Sequence, residues 1–410
     1  MTELHGLGLG ERVAELRRRR GISQRELGAE VGRSESWVSQ VERGVMPLER
    51  LSVLQALADA LGATVRDLRP EALPDTTETR PEATRDLDGL RTVLTGHPAL
   101  ALLFARKKAP KAVDVHALGA DVELAWELTH ASRFLELTET LVELIPRLEV
   151  AARSAPEDQR PELHRLRARA YEAAAAAFAR QDEDDAAWVA ADRAITAAEA
   201  SGHPLQVVAG HFRMAHAFIG LRRNDQAERV AQLAADALRP RAEARNAKPE
   251  ELSLYGAMHL VMAIVNAREG NRAAVRDHIS IARETAARLG ADRNDYNTEF
   301  GPTNVELHAV SAAVDLGDAG EAIDLSNRIN PSELSPERQV RFLIDVARAH
   351  TQRRHLGEAL QALLDAEQIS PEMLLSHSKA RETVRDLVQI AGRRLPEELA
   401  ALSGRAAANP

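Results

Sequence analysis

The chain has no cysteine among its 410 residues, which excludes disulfides, thiolate metal sites and cysteine nucleophiles. Aromatic residues make up only 3%. A core with so few large rings must be filled by Leu, Ala, Val and Ile, which suits closely packed helices. No apolar run is long enough to span a bilayer. The opening MTELHGLGLGERVAEL lacks the basic region and apolar stretch of a secretion signal. The expected location is therefore cytoplasmic, with no membrane partner. A zinc-type HExxH pair, a strand-preceded phosphate loop and a nucleophile with its base are all missing, so neither an enzyme, a metal nor a cofactor is expected.

What is present is 44% hydrophobic and 28% charged residues, a globular composition too long for one ordinary core. The net charge of −9 is unevenly placed. Residues 1–69 hold 11 Arg against 10 acidic residues, so the rest of the chain carries the whole negative excess. Any nucleic-acid contact is expected near the N-terminus, through local clustering rather than net charge.

Three regions follow from the pattern. In residues 1–69, Gly21, Gly32, Gly44 and Gly62 each end a short stretch of helical apolar spacing. This predicts helices near 10–20, 24–31, 35–43 and 47–61. The second opens with ISQREL, where Ser23 and Glu26 form a capping box and Ile22 can staple onto Leu27. Residues 70–112 are predicted as a linker: RPEALPDTTETRPEATRD has three prolines, and LDGLRTVL and PALALLFA read as short helices before the basic break RKKAPK. From 113 to 410 helix follows helix, with no period-two strand. RRNDQAE, REGNRAAV, DLGDAGEAI and RRHLGEAL each join two apolar-periodic stretches, and markers at Asn224, Gly270, Gly317 and His355 are 46, 47 and 38 residues apart. An alanine recurs with a small or aliphatic partner seven residues on: Ala227 and Ala234, Ala322 and Ile329, Ala359 and Ala366. Degenerate helical hairpins of this kind stack into a solenoid, because none buries its own apolar face alone.

The turn AEVGRSES between the second and third helices is short, holds Gly32, and ends on Ser34, which can cap. Two helices joined this way form a helix-turn-helix, whose second member can enter a major groove. Trp37, Val38 and Val41 are expected to pack on Leu16, Leu27 and Val31. The other side carries Glu35, Ser36, Ser39 and Gln40, expected at base edges: Gln pairs with adenine, Glu accepts from cytosine, and Ser is permissive. Ser23, Gln24, Ser34 and Arg43 are expected near phosphates, Gln24 because the first turn of a helix favours an anion.

LRRRRGISQRELGAEVGRSESWVSQVERG resembles the lambda-repressor-like helix-turn-helix domain of the xenobiotic-response-element (XRE) regulators. The likeness rests on Leu16-Arg17, the GISQ and EL around the second helix, Gly32, Ser34, and VSQVERG. It covers roughly residues 10–68. It implies an ion pair between Arg17 and Glu42 and assigns the same base-reading and phosphate positions. Glu35 departs from the pattern, since phosphates repel a carboxylate that finds no cytosine amine or arginine. The helical part resembles tetratricopeptide-type repeats, with a longer repeat than the usual one. The order of the two parts is similar to bacterial peptide-pheromone receptor regulators and to repeat-bearing regulators of actinomycetes.

The expected fold is therefore all-α, a lambda-repressor-like helix-turn-helix domain followed by a tetratricopeptide-like α-solenoid. The expected function is a sequence-specific transcription regulator that binds double-stranded operator DNA. Its solenoid would sense a peptide, small molecule or protein and mediate homodimerisation. The alternative is a scaffold that sequesters a regulatory partner, with the N-terminal domain serving localisation or dimerisation. First helices of the hairpins would turn Phe212, His216, Asn304, Ser311 and Arg348 inward, and Asn266 is a further candidate ligand contact.

Overall fold

The computed structural model describes residues 8–46, 48, 51–63, 68, 87–95, 113–392 and 394–408. Among these, everything regular is helical apart from one isolated bridge, Arg293 to Phe300. The N-terminal domain has α1 (Leu9–Arg20), α2 (Gln24–Glu30), α3 (Glu35–Glu42) and α4 (Leu51–Leu61). Ser23 Oγ accepts from the Glu26 N–H at 3.1 Å, and the Ser23 N–H donates to the Glu26 carboxylate at 2.7 Å. Ser34 caps α3 through the Trp37 N–H. Gly21, Gly32, Gly44 and Gly62 all lie at positive φ, where a chain ending a helix turns away.

Two other glycines serve proximity. A Cβ on Gly10 would sit 2.2 Å from the Val41 carbonyl oxygen, and one on Gly28 2.7 Å from that of Arg33. The absence of side chains there lets α1 lie on α3 and α2 lie on the turn. Val13, Leu27, Trp37, Val38 and Val41 fill the space between, with Leu16, Ile22 and Val31 packed around them.

The expected linker holds one described helix, α5 (Asp88–Thr95). Its Leu87, Leu90 and Leu94 side are fully buried in the solenoid's core, so this helix is part of the solenoid's packing. The expected helix PALALLFA and the prolines between 69 and 86 lie outside the described residues.

Six helical hairpins follow: α6 (Val115–His130) with α7 (Phe134–Ser154), α8 (Arg160–Arg180) with α9 (Asp184–Ser201), α10 (Pro204–Gly220) with α11 (Asn224–Ala242), α12 (Pro249–Arg268) with α13 (Arg272–Leu289), α14 (Pro302–Leu316) with α15 (Ala319–Ser326), and α16 (Pro336–Gln352) with α17 (Leu356–Ile369). The same turn joins each pair. Its left-handed residue is Ser132, Asp182, Arg222, Gly270, Gly317 or Arg354, always two residues before the second helix. The next residue's N–H reaches five residues back, as in Arg133 to Leu128 and Asp318 to Ala313, at 2.8–3.0 Å.

The chain closes with α18 (Pro371–Ser376), α19 (Ser378–Ala391) and α20 (Glu397–Ala408). These last helices curl back to the first hairpins. Met373 lies against Ser132, Ser378 and Arg381 reach Asp182, and Arg180 of α8 pairs with Glu337 of α16. One apolar cluster joins α5–α9 to α16–α20. The curl leaves an interior lined by the first helices of the hairpins.

Four of the six turns place a side-chain-bearing residue at positive φ, which costs about 1 kcal/mol each. Arg354 is exposed. Replacing it with glycine should therefore raise the denaturation midpoint, by a stabilisation of about 0.5 kcal/mol after glycine's extra unfolded-state entropy. Urea unfolding of R354G against the parent checks this.

Candidate nucleic-acid interface and interior cavity

The N-terminal domain is held by one carboxylate. Glu42, at the end of α3, takes Arg17 Nε at 2.5 Å and Arg17 Nη2 at 3.1 Å. It also accepts from Gln24 Nε2 at 2.8 Å. Arg17 spends a third N–H on the Ile22 carbonyl. α1, the start of α2 and the end of α3 therefore meet at a single buried charge pair. Burial pushes the Glu42 carboxyl up, but the bonds from Arg17 and Gln24 outweigh it and hold it below the usual carboxylate range. Of the other arginines of α1, Arg18 and Arg19 share Glu15 and Arg20 pairs with Glu30 at the surface, while Arg12 donates to the Leu68 carbonyl.

The residues expected at bases are not equally placed. Glu35 and Ser36 are exposed, and Ser39 is half-buried. Gln40 is only 4% exposed, and its Nε2 donates to the Gly317 carbonyl oxygen of the solenoid at 2.7 Å. One turn earlier, Trp37 lies against Gly270, where a Cβ would come within 3.0 Å of the indole. At Gly317 a Cβ would come within 1.9 Å of the Gln40 amide. The face of α3 carrying Trp37 and Gln40 is therefore set down on the two hairpin turns that carry glycine at the left-handed position. The other four turns bear side chains there.

Of the residues expected at phosphates, Ser23 and Ser34 each accept a capping N–H and keep a hydroxyl hydrogen to donate. Arg43 is exposed. Gln24 has given its side-chain amide to Glu42, so its contribution to a phosphate reduces to the backbone N–H in the first turn of α2.

Beneath the docked domain lies a cavity of about 1430 Å³. Gly8–Glu11 and Gln40–Met46 form one wall, and α8, α10, α12, α14, α16 and α19 form the others. Phe212, His216, Asn304, Ser311 and Arg348 all line it. Asn266 does not. It is buried within α12's packing, where its amide donates to Glu228 and to the Met262 carbonyl. Arg348 is tied to Asp315 at 2.7 Å and to Asp345 at 2.8 Å. Burial and the Arg213 cation keep His216 well below the usual imidazole range, so it is neutral.

Further charged residues, not anticipated from the sequence, also line the cavity. Arg180, Arg213, Arg338 and Arg341 converge in its interior. The spacing signal was present, since Arg341 and Arg348 stand seven apart and so share a face of α16. Glu337 takes Arg180 at 2.5 Å and Arg341 at 2.9 Å, while Glu299 takes Arg338 at 2.8 Å. Among the described residues, His130, Glu299 and Glu337 are the one group spaced to hold a metal ion. Both carboxylates are already occupied by guanidinium groups. The histidines five apart, His350 and His355, bring their Nδ1 atoms to 3.4 Å.

A family model described as a helix-turn-helix domain matches residues 8–72, which spans α1–α4 and none of the solenoid. No curated protein matches the chain. The domain's fold and this match both point to a DNA-binding regulator.

Removing the Glu42 carboxylate would leave Arg17 half-buried and unpaired. E42A should destabilise the N-terminal domain by about 3 kcal/mol, read as lost hydrogen-exchange protection of α1–α3. Because the folded value of Glu42 is depressed, the stability it contributes is complete above the ordinary carboxylate value of about 4.3. It is lost as pH falls through the lower folded value. Protection of α1–α3 should show that acid loss in the parent and lack it in E42A.

Proposed function

We propose that this chain is a sequence-specific DNA-binding transcription regulator whose solenoid holds the reading helix in a closed arrangement and releases it when a ligand fills the cavity beneath. The observation that carries this reading is the bond from Gln40 to Gly317. A glutamine buried against the solenoid cannot touch an adenine, and Glu35 and Ser36 alone read too little. DNA binding with Gln40 at a base edge therefore requires α3 to leave Gly317 and Gly270.

That release is energetically modest. Among the described residues, the contact rests on one hydrogen bond, a net contribution of about 1 kcal/mol, and on the Trp37 indole edge and the Arg33 side chain against Gly270. A ligand shifts the balance only by its differential affinity for the two arrangements, and a cavity walled partly by the N-terminal domain supplies such a difference. In the open form, Ser36, Ser39 and Gln40 would read bases, with Glu35 on a cytosine amine. Ser23, Ser34, Arg43 and the Gln24 backbone would meet phosphates. Two copies would act together, because one short recognition helix specifies too few base pairs, and half-sites about one helical turn apart would follow.

The same docking favours a second reading, a scaffold whose N-terminal domain is permanently occupied by the solenoid. The two differ in their response to salt. A regulator's DNA affinity falls steeply as salt rises, because phosphate contacts release counterions. A scaffold shows no salt-sensitive DNA binding.

Gly317→Asn tests the closed arrangement directly. Asparagine tolerates positive φ, so the turn should survive, while its side chain would occupy the space of the Gln40 amide. Operator fragments recovered from genomic DNA should bind G317N about tenfold more tightly than the parent without ligand. Equal or weaker binding by a folded G317N would reject the proposal.

A further inference from the structure

One part of the cavity wall is locally rich in positive charge. Arg180, Arg213, Arg338 and Arg341 line it close to one another, and the carboxylates paired with this cluster are Glu337 and Glu299. Arg213 makes no ion pair among the described residues. Its guanidinium lies about 5 Å from the ring centres of Trp126 and Phe212 and donates to the Asn297 carbonyl at 2.6 Å. The nearby Glu172 answers it only in part, since burial pushes that carboxyl up to about 7 and its Oε1 accepts from Gln206. Burial first, and then the neighbouring Arg180 cation, lower Arg213 to about 10.

Two buried polar groups are also unanswered. The Arg180 side chain is 8% exposed, yet its Nε and Nη1 have no hydrogen-bond partner. Asn304 is 2% exposed, and its Oδ1 accepts nothing. Both residues line the cavity. An orphaned buried donor or acceptor costs about 1–3 kcal/mol, and a ligand whose groups reach them would recover it. His216 and His308 also line the cavity and, as neutral imidazoles, add no charge.

We propose that the cavity binds a ligand through its carboxylate, held by Arg213 and Arg180, with an adjacent N–H of the ligand donating to Asn304. A free organic acid supplies the first feature, and a peptide C-terminus supplies both. The proposal rests on reading this cavity as the effector site, but it is tested without DNA. A carboxylate that binds yet leaves DNA affinity unchanged would overturn the release mechanism and keep this assignment.

The experiment is calorimetric titration of the full chain, at constant ionic strength, with succinate, N-acetyl-dialanine and N-acetyl-dialanine amide. Both acids are expected to bind, and the amide at least about tenfold more weakly than its acid. N-acetyl-dialanine binding tighter than succinate assigns the peptide source, and the reverse order assigns the organic acid. R213Q should weaken both acids at least about tenfold. N304D, nearly isosteric and therefore expected to fold, places a repelling carboxylate in the cavity and should do the same. Circular-dichroism melting confirms that each variant is folded. Absence of binding by either acid at about 10 mM, equal binding of acid and amide, or undiminished binding by folded N304D would each overturn the proposal.

Discussion

Where α8 crosses α9, one helix brings Ala170, Ala173, Ala174 and Ala177 and the other Ala187, Ala190, Ala191 and Ala194, all without exposed surface. No side chain on those faces is longer than a methyl, so the backbones can close to the short end of ordinary helix separations. The same constraint recurs through the chain with glycine. A Cβ on Gly256 would fall within 2.0 Å of the Phe300 ring, one on Gly210 within 2.6 Å of Ile195, and one on Gly10 within 2.2 Å of Val41's carbonyl. Packing by proximity explains how a chain so poor in aromatic residues builds cores of this size. It also makes each crossing intolerant of bulk, since an added methylene in a packed interface costs about 1–3 kcal/mol.

The contact between α3 and the solenoid obeys that constraint at its weakest point. Inside the N-terminal domain, Arg17, Gln24 and Glu42 tie three elements together through charge-assisted bonds. Against the solenoid, α3 has one amide-to-carbonyl bond and the edge of Trp37. The stronger set lies within the domain and the weaker set across its boundary. In the proposed regulator the domain therefore moves as a rigid body, and its reading surface need not be rebuilt after release.

The helix-turn-helix was legible because its signals are local. Ser23 with Glu26, Ser34 before Trp37, and four terminal glycines all act within four residues of where they stand. The repeat was half legible. Turns holding Asn224, Gly270, Gly317 and His355 stood out, while those at Ser132 and Asp182 adopt the same left-handed geometry without glycine or asparagine to mark it. Inward faces of α10, α14 and α16 followed from periodicity, which reached Phe212, His216, Asn304, Ser311 and Arg348. Asn266 was misplaced because α12 is buried nearly all round, so a polar residue in its apolar run has no single face to signal. The burial of Gln40 was not legible at all. It depends on a residue 277 positions away, and no local pattern encodes a docking between domains.

α14 joins the cavity to the docking surface. α14 carries Asn304 and Ser311 into the cavity, then Asp315, and ends at Gly317, whose carbonyl holds Gln40. Asp315 is clasped by Arg348 at 2.7 Å and by Lys379 at 3.4 Å, while Gln352 donates to the Val314 carbonyl. The last turn of α14 is thus braced from α16 and α19, which are cavity walls themselves. In the proposed mechanism, a ligand that draws Asn304 inward acts on the same rigid rod that presents Gly317. No relay through mobile segments is needed. A shift of α14 of about 1 Å away from α3 would stretch the 2.7 Å bond beyond hydrogen-bond range, and a shift towards α3 meets a glycine with no room to spare. Coupling of this kind is carried by one element with two positions, each preferred by a different occupant.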